Sequence, residues 1–424
     1  MHPTQGELRL FPNLSPEPKM ALNSDIHSET TTPVPSAVPS LRALVRSDAN
    51  GIIDRLAQHR LASFPPEAAK TFRRLTPGET ARILGVTEAY LRQLMPPASV
   101  GERRQYALED LAAIRKALDA KPRSVGKYLP GRKPGEPLQV IAVMNFKGGS
   151  GKTTTTAHLA QYLALRGYRV LAVDLDPQAS LTGLFGLRPE IDVPAGGSFF
   201  GAIRHSGEQV PMRSIVKTTY MPGLDLVPAA LELMEYEFET PHALMRAQGS
   251  NQVFSRAAHA LREIEGDYDV VVIDCPPQLG YLSISALVAA TSVLVTVHPQ
   301  MLDVASLGQF MLMLGDLLDV IAGASGGVES SYDWMRYLIT RFEPGDGPQT
   351  QMLTLLRSMF GERILIHPTL KSTAISDAGL TNQTLFEVSR SQFIRSTYDR
   401  AMESIENVNG EIDALIRKAW GRPT

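Results

Sequence analysis

Cysteine is almost absent from this chain: Cys275 is the only one in 424 residues. One thiol can neither close a disulfide within the chain nor build a multi-cysteine zinc site, so the fold must hold by packing and a reducing compartment is expected. Long apolar runs are also missing. No stretch of about 18 consecutive apolar residues suggests a membrane span, and the N-terminus lacks the basic region and apolar core of a secretory leader. Both absences point to the cytoplasm. Net charge is small, formally −2, but it is unevenly spread: residues 41–137 carry +8, residues 138–424 carry −8 and residues 1–40 carry −2. A basic segment joined to an acidic one is expected to meet a polyanion through the basic part.

The length predicts two or three domains. Residues 1–40 hold seven prolines and a Ser/Thr-rich stretch, a composition expected to stay disordered. Residues 41–118 show helical spacing of apolar positions. Residues 119–137 are basic and rich in Pro and Gly, as in a linker. From residue 138 to 424 apolar strands alternate with helices. Strands are expected at Gln139–Asn145, Arg169–Asp174, Asp269–Asp274, Ser292–Val297 and Met335–Thr340, with a helix over Thr153–Gly167. Continuous apolar strands separated by helices predict an α/β fold with a mostly parallel sheet covered on both faces.

The densest chemistry lies between the first strand and that helix, in Lys147-Gly148-Gly149-Ser150-Gly151-Lys152-Thr153-Thr154. Glycines let backbone N–H groups turn toward phosphate oxygens, and a helix N-terminus adds the positive end of its dipole. Lys152 is positioned to bridge β- and γ-phosphates and Thr153 to hold Mg²⁺ through its hydroxyl, which makes the loop a P-loop for ATP. Two acidic strand ends support this: Asp174-Leu175-Asp176-Pro177-Gln178 and Asp274-Cys275-Pro276-Pro277. In a parallel sheet both emerge at the carboxyl edge, where ligands bind. Hard carboxylate oxygens there suit Mg²⁺ and an attacking water.

These three motifs, in this order, resemble those of the deviant-Walker-A ATPases of the ParA/MinD family, most of all ParA partition proteins, over residues 138–420. The resemblance implies a homodimer that sandwiches ATP. It makes Lys147 the signature lysine that reaches the partner's phosphates. Asp176 becomes the residue that positions the water, so Lys147, Lys152 and Asp176 are the expected catalytic set. Asp274 becomes the Walker B aspartate acting on Mg²⁺ with Thr153. Val297-His298-Pro299-Gln300 is similar to the family's strand end leading into a dimer-facing helix. Thr340, Arg341 and Pro368 are placed near the adenine. Slow ATP hydrolysis stimulated by a ParB/RepB-like centromere-binding protein is implied, as are non-specific DNA binding and a nucleoid-associated location.

The N-terminal segment carries a second pattern. Thr76 is a helix cap with Pro77 at the first helical position, Gly85 makes a turn and Thr87 caps a second helix. This reads as a helix-turn-helix, with Thr87, Tyr90 and Arg92 facing DNA. Arg103, Arg104, Tyr106 and the helix after them resemble the wing of MerR-type winged domains, where arginines meet phosphate. Such an extension resembles that of the larger plasmid-borne ParA proteins, closest to the RepA group of repABC cassettes, which implies autorepression at an operator. Arg390 and Arg395 near the C-terminus are candidates for non-specific DNA contact. Ile405, Val408, Ile412, Leu415 and Ile416 lie at helical spacing and are expected to pack on the core rather than on a membrane. The alternatives are an ATP-controlled repressor or a MinD-like positioning ATPase without a segregation role.

Overall fold

The computed structural model describes residues 40–63, 70–94, 104–122, 124–246, 253–324 and 331–423. Residues 1–39 of the head expected over 1–40, and Arg103 of the expected wing, lie outside the described residues. The chain divides into two units, residues 1–65 and 66–424. The first contributes helix α1 (Leu41–Ser63), on which Leu41, Leu44, Val45 and Ile52 are exposed.

The second unit is built on a seven-stranded sheet: β1 (Gln139–Met144), β2 (Val170–Asp174), β3 (Lys217–Thr218), β4 (Leu224–Val227), β5 (Val270–Asp274), β6 (Ser292–Val297) and β7 (Trp334–Ile339). Their order is β3-β4-β2-β5-β1-β6-β7. All pairings are parallel except β3 with β4. The five strands expected from sequence occur within a residue of their predicted bounds. β3 and β4 were not expected. Leu224-Asp225-Leu226-Val227 is short and interrupted by a charge, so it lacks the apolar run that marked the others.

Side chains alternate between the two faces of the sheet. Ile141, Val143, Val170, Ala172, Val270 and Val272 pack into one hydrophobic cluster, while Val140, Ala142, Leu171, Val173, Val271 and Ile273 pack into another. The first face is covered by α5 (Lys152–Arg166) and the long C-terminal α16 (Arg395–Ala419), together with α2 (Pro77–Leu84), α3 (Glu88–Leu94) and α4 (Leu108–Asp119). Leu84, Leu91, Leu111 and Leu118 belong to the same buried cluster as Leu159 and Ile412. The short helices α6 (Ser180–Leu184), α7 (Pro189–Asp192), α8 (Phe199–Ile203) and α9 (Met212–Ile215) follow β2. α8 lies on the second face with α10 (Leu233–Arg246), α11 (Arg256–Arg262), α12 (Tyr281–Ala289) and α13 (Met301–Ala324). After β7 come α14 (Gly347–Phe360) and α15 (Thr373–Leu380). α16 buries Ile405, Val408, Ile412 and Ile416 as expected, with Leu415 half-buried.

Residues 119–137 are held down at several points. Asp119 accepts from the N–H groups of Gly126, Tyr128 and Leu129. Arg132 donates its N–H to Asp269 at 3.0 Å. Arg422 donates to Glu136 and to the Pro130 and Gly131 carbonyls, and the Trp420 indole donates to the Pro137 carbonyl at 2.9 Å.

Among the described residues, α13 holds the one stretch, Met301–Asp319, long and apolar enough by length and composition to cross a membrane. Leu307, Phe310 and Leu314 anchor it to the core, whereas Met301, Leu302, Leu312 and Met313 are exposed on the opposite side.

Candidate nucleotide site

The loop joining β1 to α5 is shaped by two glycines. Gly149 and Gly151 have φ of +76° and +87°, a region that costs other residues dearly. A Cβ at Gly151 would make only ordinary contact with the Thr340 side chain at 3.5 Å, so the positive φ alone calls for glycine there. The loop's carbonyls are tied from outside. The Thr340 hydroxyl donates to Ser150 O at 2.8 Å, Arg341 donates to Gly149 O at 3.2 Å and Lys152 Nζ donates to Lys147 O at 3.2 Å. The Ser150 and Thr296 hydroxyls meet at 3.1 Å, and Asn145 Oδ1 accepts from the Lys147 N–H at 2.9 Å. With carbonyls held back, the amides of the loop and of the first turn of α5, which have no intrahelical acceptor, are left for an anion.

The strand ends complete the site. Asp274 is fully buried and neither carboxylate oxygen has a hydrogen-bond partner within ordinary reach. Burial, then the charge of Asp174 beside it in register, pushes its acid well above the usual range. Asp174 is occupied structurally: it accepts from the Thr182 N–H and hydroxyl at 2.8 and 2.7 Å and from the Asp176 N–H at 3.1 Å. Burial still raises it to about 7. Lys152 is buried too, and desolvation lowers its ammonium despite the pull of Asp274. A buried carboxylate with empty lone pairs beside a buried lysine and the Thr153 hydroxyl fits a hydrated hard cation. Among the described residues no group of three or more His, Cys, Asp or Glu side chains could enclose a metal alone. Mg²⁺ commonly keeps several waters and is held through one or two protein oxygens together with substrate phosphates.

A cavity of about 500 Å³ opens over these groups. Gly148, Gly149, Gly151, Lys152, Thr153 and Thr154 line one side, with Asp176, Thr340 and Arg341 also at its wall. The opposite side was not anticipated: Thr369, Lys371, Ser372, Ile375, Ser376 and Gly379. Its only sequence signal was Ser372, which caps α15 by accepting from the Ala374 N–H at 3.2 Å. The volume suits a nucleotide-sized ligand. Arg341 holds a φ of +54°, an arrangement costing other than glycine of order 1 kcal/mol or more and concentrated at functional sites.

Lys147 points elsewhere. Its ammonium forms an ion pair with Asp303 at the start of α13, and His298 Nδ1 lies 3.0 Å from the other Asp303 oxygen. These residues, with Asn145, Gln300 and Arg341, line a second cavity of about 270 Å³ beside the loop. Asp303 was missed in the sequence because its partner lies far away along the chain.

The N-terminal candidates divide. Thr76 caps α2 and Glu79 returns the bond to the Thr76 N–H at 2.8 Å, with Gly85 closing the helix at φ +66°. Thr87 is exposed and its hydroxyl accepts from the Tyr90 N–H at 3.2 Å. Arg92 is exposed and pairs with Glu88 at 3.3 Å. The Tyr90 hydroxyl contacts Lys121. Tyr106 must be withdrawn from the expected DNA contacts. It is 1 % exposed, its backbone exchanges hydrogen bonds with Leu75 at 2.8 and 2.9 Å, and its ring belongs to the core beneath the Arg104 guanidinium. Arg390 is exposed but ion-paired with Asp399, and Arg395 is exposed at the first position of α16.

Known proteins share these features. The family described as AAA domain matches residues 138–321. A protein named putative replication protein A from Rhizobium rhizogenes is 57 % identical over 395 residues, covering 91 % of this chain and 97 % of that relative. Protein SopA from Escherichia coli (strain K12) is 30 % identical over 372 residues, covering 84 % and 92 %. Among solved structures, one titled Partition Protein aligns with a TM-score of 0.60 at 18 % identity, over 89 % of this chain and 99 % of that one. That last likeness concerns the fold.

Proposed function

Because the chain belongs to the ParA family of plasmid partition ATPases, we propose that it binds ATP with Mg²⁺ in the cavity over its phosphate loop and hydrolyses it as a timed step in DNA segregation. One observation carries this reading: Lys152, Thr153 and Asp176 line one cavity, and the buried Asp274 lies just beneath it within the electrostatic reach of Lys152 and Thr153. In it, the loop amides and Lys152 hold the β- and γ-phosphates. Thr153 and Asp274 hold Mg²⁺, which when bound neutralises charge on the transferring phosphoryl group. Asp176 orients the water. Thr340 and Arg341 keep the loop carbonyls out of the phosphates' way, and residues 369–379 cover the base and ribose.

Lys147 faces away from its own phosphate cavity, as a residue serving a second subunit would. The exposed apolar side of α13, which begins beside Lys147, is a surface for that homodimer. The dimer is proposed to bind DNA non-specifically through Arg390 and Arg395, with turnover stimulated by a ParB/RepB-like centromere-binding partner. The pair α2–α3, with Thr87, Tyr90 and Arg92, is proposed as a helix-turn-helix that binds the operator, with Arg103 and Arg104 meeting phosphate in a wing and autorepression as the result. The protein then works in the cytoplasm on the nucleoid, not in a membrane.

The test is Lys152→Ala in the full chain. ATP affinity, read by titration calorimetry, should fall at least about 30-fold, as expected when one member of a buried charged contact is cut away. Unchanged affinity removes the site.

A further inference from the structure

We propose that Lys70 is a positioning residue that clasps two elements lining the nucleotide cavity to the N-terminal helical pair, so that nucleotide occupancy and the setting of α2 and α3 are coupled. The proposal rests on the cavity holding ATP, as read above.

The Lys70 ammonium gives two hydrogen bonds to carbonyls and sets its charge against a buried carboxylate. Nζ donates to Leu184 O at 2.5 Å and to Asn382 O at 2.7 Å, and it pairs with Glu387 Oε1 at 2.8 Å. The two carbonyls belong to elements that meet the nucleotide cavity elsewhere. Leu184 is the last residue of α6, whose first residue, Ser180, lines the cavity just after Asp176. Asn382 lies two residues past α15, whose Ile375, Ser376 and Gly379 line the same cavity. One side chain therefore bridges the far ends of two elements that line it.

The clasp is tight. The Glu387 side chain is fully buried and that of Lys70 is 10 % exposed. The Lys70 stem lies against Gly186, where a Cβ would come within 3.0 Å of it, and its ammonium sits 4.9 Å from the centre of the Tyr220 ring. Glu387 is held in turn by the Thr384 N–H at 2.6 Å. Buried charges of this kind tolerate little displacement, because a lost contact strands a charge in the core.

The connection to the N-terminal pair is short and continuous. Three residues after Lys70, Arg73 donates to Phe386 O at 3.0 Å and pairs with Glu79 at 2.6 Å. Glu79 is the residue that completes the Thr76 cap of α2. A ligand that draws α6 and α15 together changes the carbonyl pair seen by Lys70, and the change is delivered to the start of α2 through the Arg73–Glu79 contact. A staple without this role would stabilise the fold equally in both nucleotide states.

The experiment is hydrogen–deuterium exchange on the full chain, with and without the non-hydrolysable analogue AMPPNP and Mg²⁺. It compares wild type with the double variant Lys70→Met/Glu387→Gln, which removes both buried charges and keeps both shapes. In wild type the analogue should change exchange of amides 76–94 about fivefold or more, the lower range of allosteric coupling. In the double variant the analogue should bind within about threefold of wild type, while the change at 76–94 should fall below about twofold. A full response in the double variant, or none in wild type that has bound the analogue, overturns the clasp and leaves the nucleotide site standing. Failure of wild type to bind the analogue overturns the site reading and the clasp with it.

Discussion

The phosphate loop and the α2–α3 pair are held by opposite means. The loop is fixed by residues far along the chain: Thr340 donates to the Ser150 carbonyl, Arg341 to the Gly149 carbonyl, and the Thr296 hydroxyl meets that of Ser150. The helical pair is specified by neighbours: Thr76 with Glu79, Thr87 with Tyr90, Glu88 with Arg92. Under the proposed roles, the difference separates two kinds of recognition. A site that must present amides to a fixed triphosphate needs its backbone held from several directions. A surface that reads a polyanion needs only stable short helices whose outward side chains stay free.

The hardest test of the contrast is Asp176→Ala. Hydrolysis measured by phosphate release should fall about 100-fold, in the range for loss of a proton-handling group, while ATP affinity stays near wild type. An equal fall in affinity would show that Asp176 braces the loop and leaves the water alone. Next comes Thr340→Val, which keeps the shape but cuts the tether on Ser150 O. One hydrogen bond of about 1 kcal/mol predicts a loss of about fivefold in ATP affinity, and no loss would show that the carbonyl needs no tether.

On the helical side, Arg92→Ala should weaken binding to the operator more than to unrelated duplex, by about 10-fold. A uniform loss across sequences, with the slope of log affinity against log salt lower by about 1, would move Arg92 from base to phosphate contact. The smallest effect belongs to Thr76→Ala, which should cost about 1 kcal/mol of local stability in α2, measured by exchange of its amides. That stability is also acid-sensitive. Burial raises the Glu79 carboxyl, but Arg73 and the Thr76 cap outweigh it and hold the acid below its ordinary 4.5. Its contribution is complete above that value and is lost as pH falls through the lower folded value. α2 amides whose protection relative to the intrinsic exchange rate at each pH does not fall in acid would disprove the linkage.

Much of the nucleotide site was legible because its parts are local: a glycine loop between an apolar strand and a helix, and acids at strand ends. The unread parts depend on distance. Lys147 meets Asp303 only because β1 lies beside β6 in the sheet, and Lys371 and Ser376 reach the cavity only after β7 and α14 have turned the chain back. Tyr106 misled for a different reason. A tyrosine just after two arginines reads as part of an exposed wing, yet a two-way backbone pairing with Leu75 goes with a buried ring. Glycine at 85 and threonine at 76 read correctly because caps are chosen by neighbours three residues away.

The last turn of the chain has a practical consequence. Trp420 and Arg422 hold residues 130–137 at the entry to β1, the strand that delivers the phosphate loop. A fluorescent protein fused directly after Arg422 would load the approach to β1 and its glycine loop, so an imaging experiment built that way would report on a perturbed fold. Reporters belong on a long spacer or at the other end of the molecule.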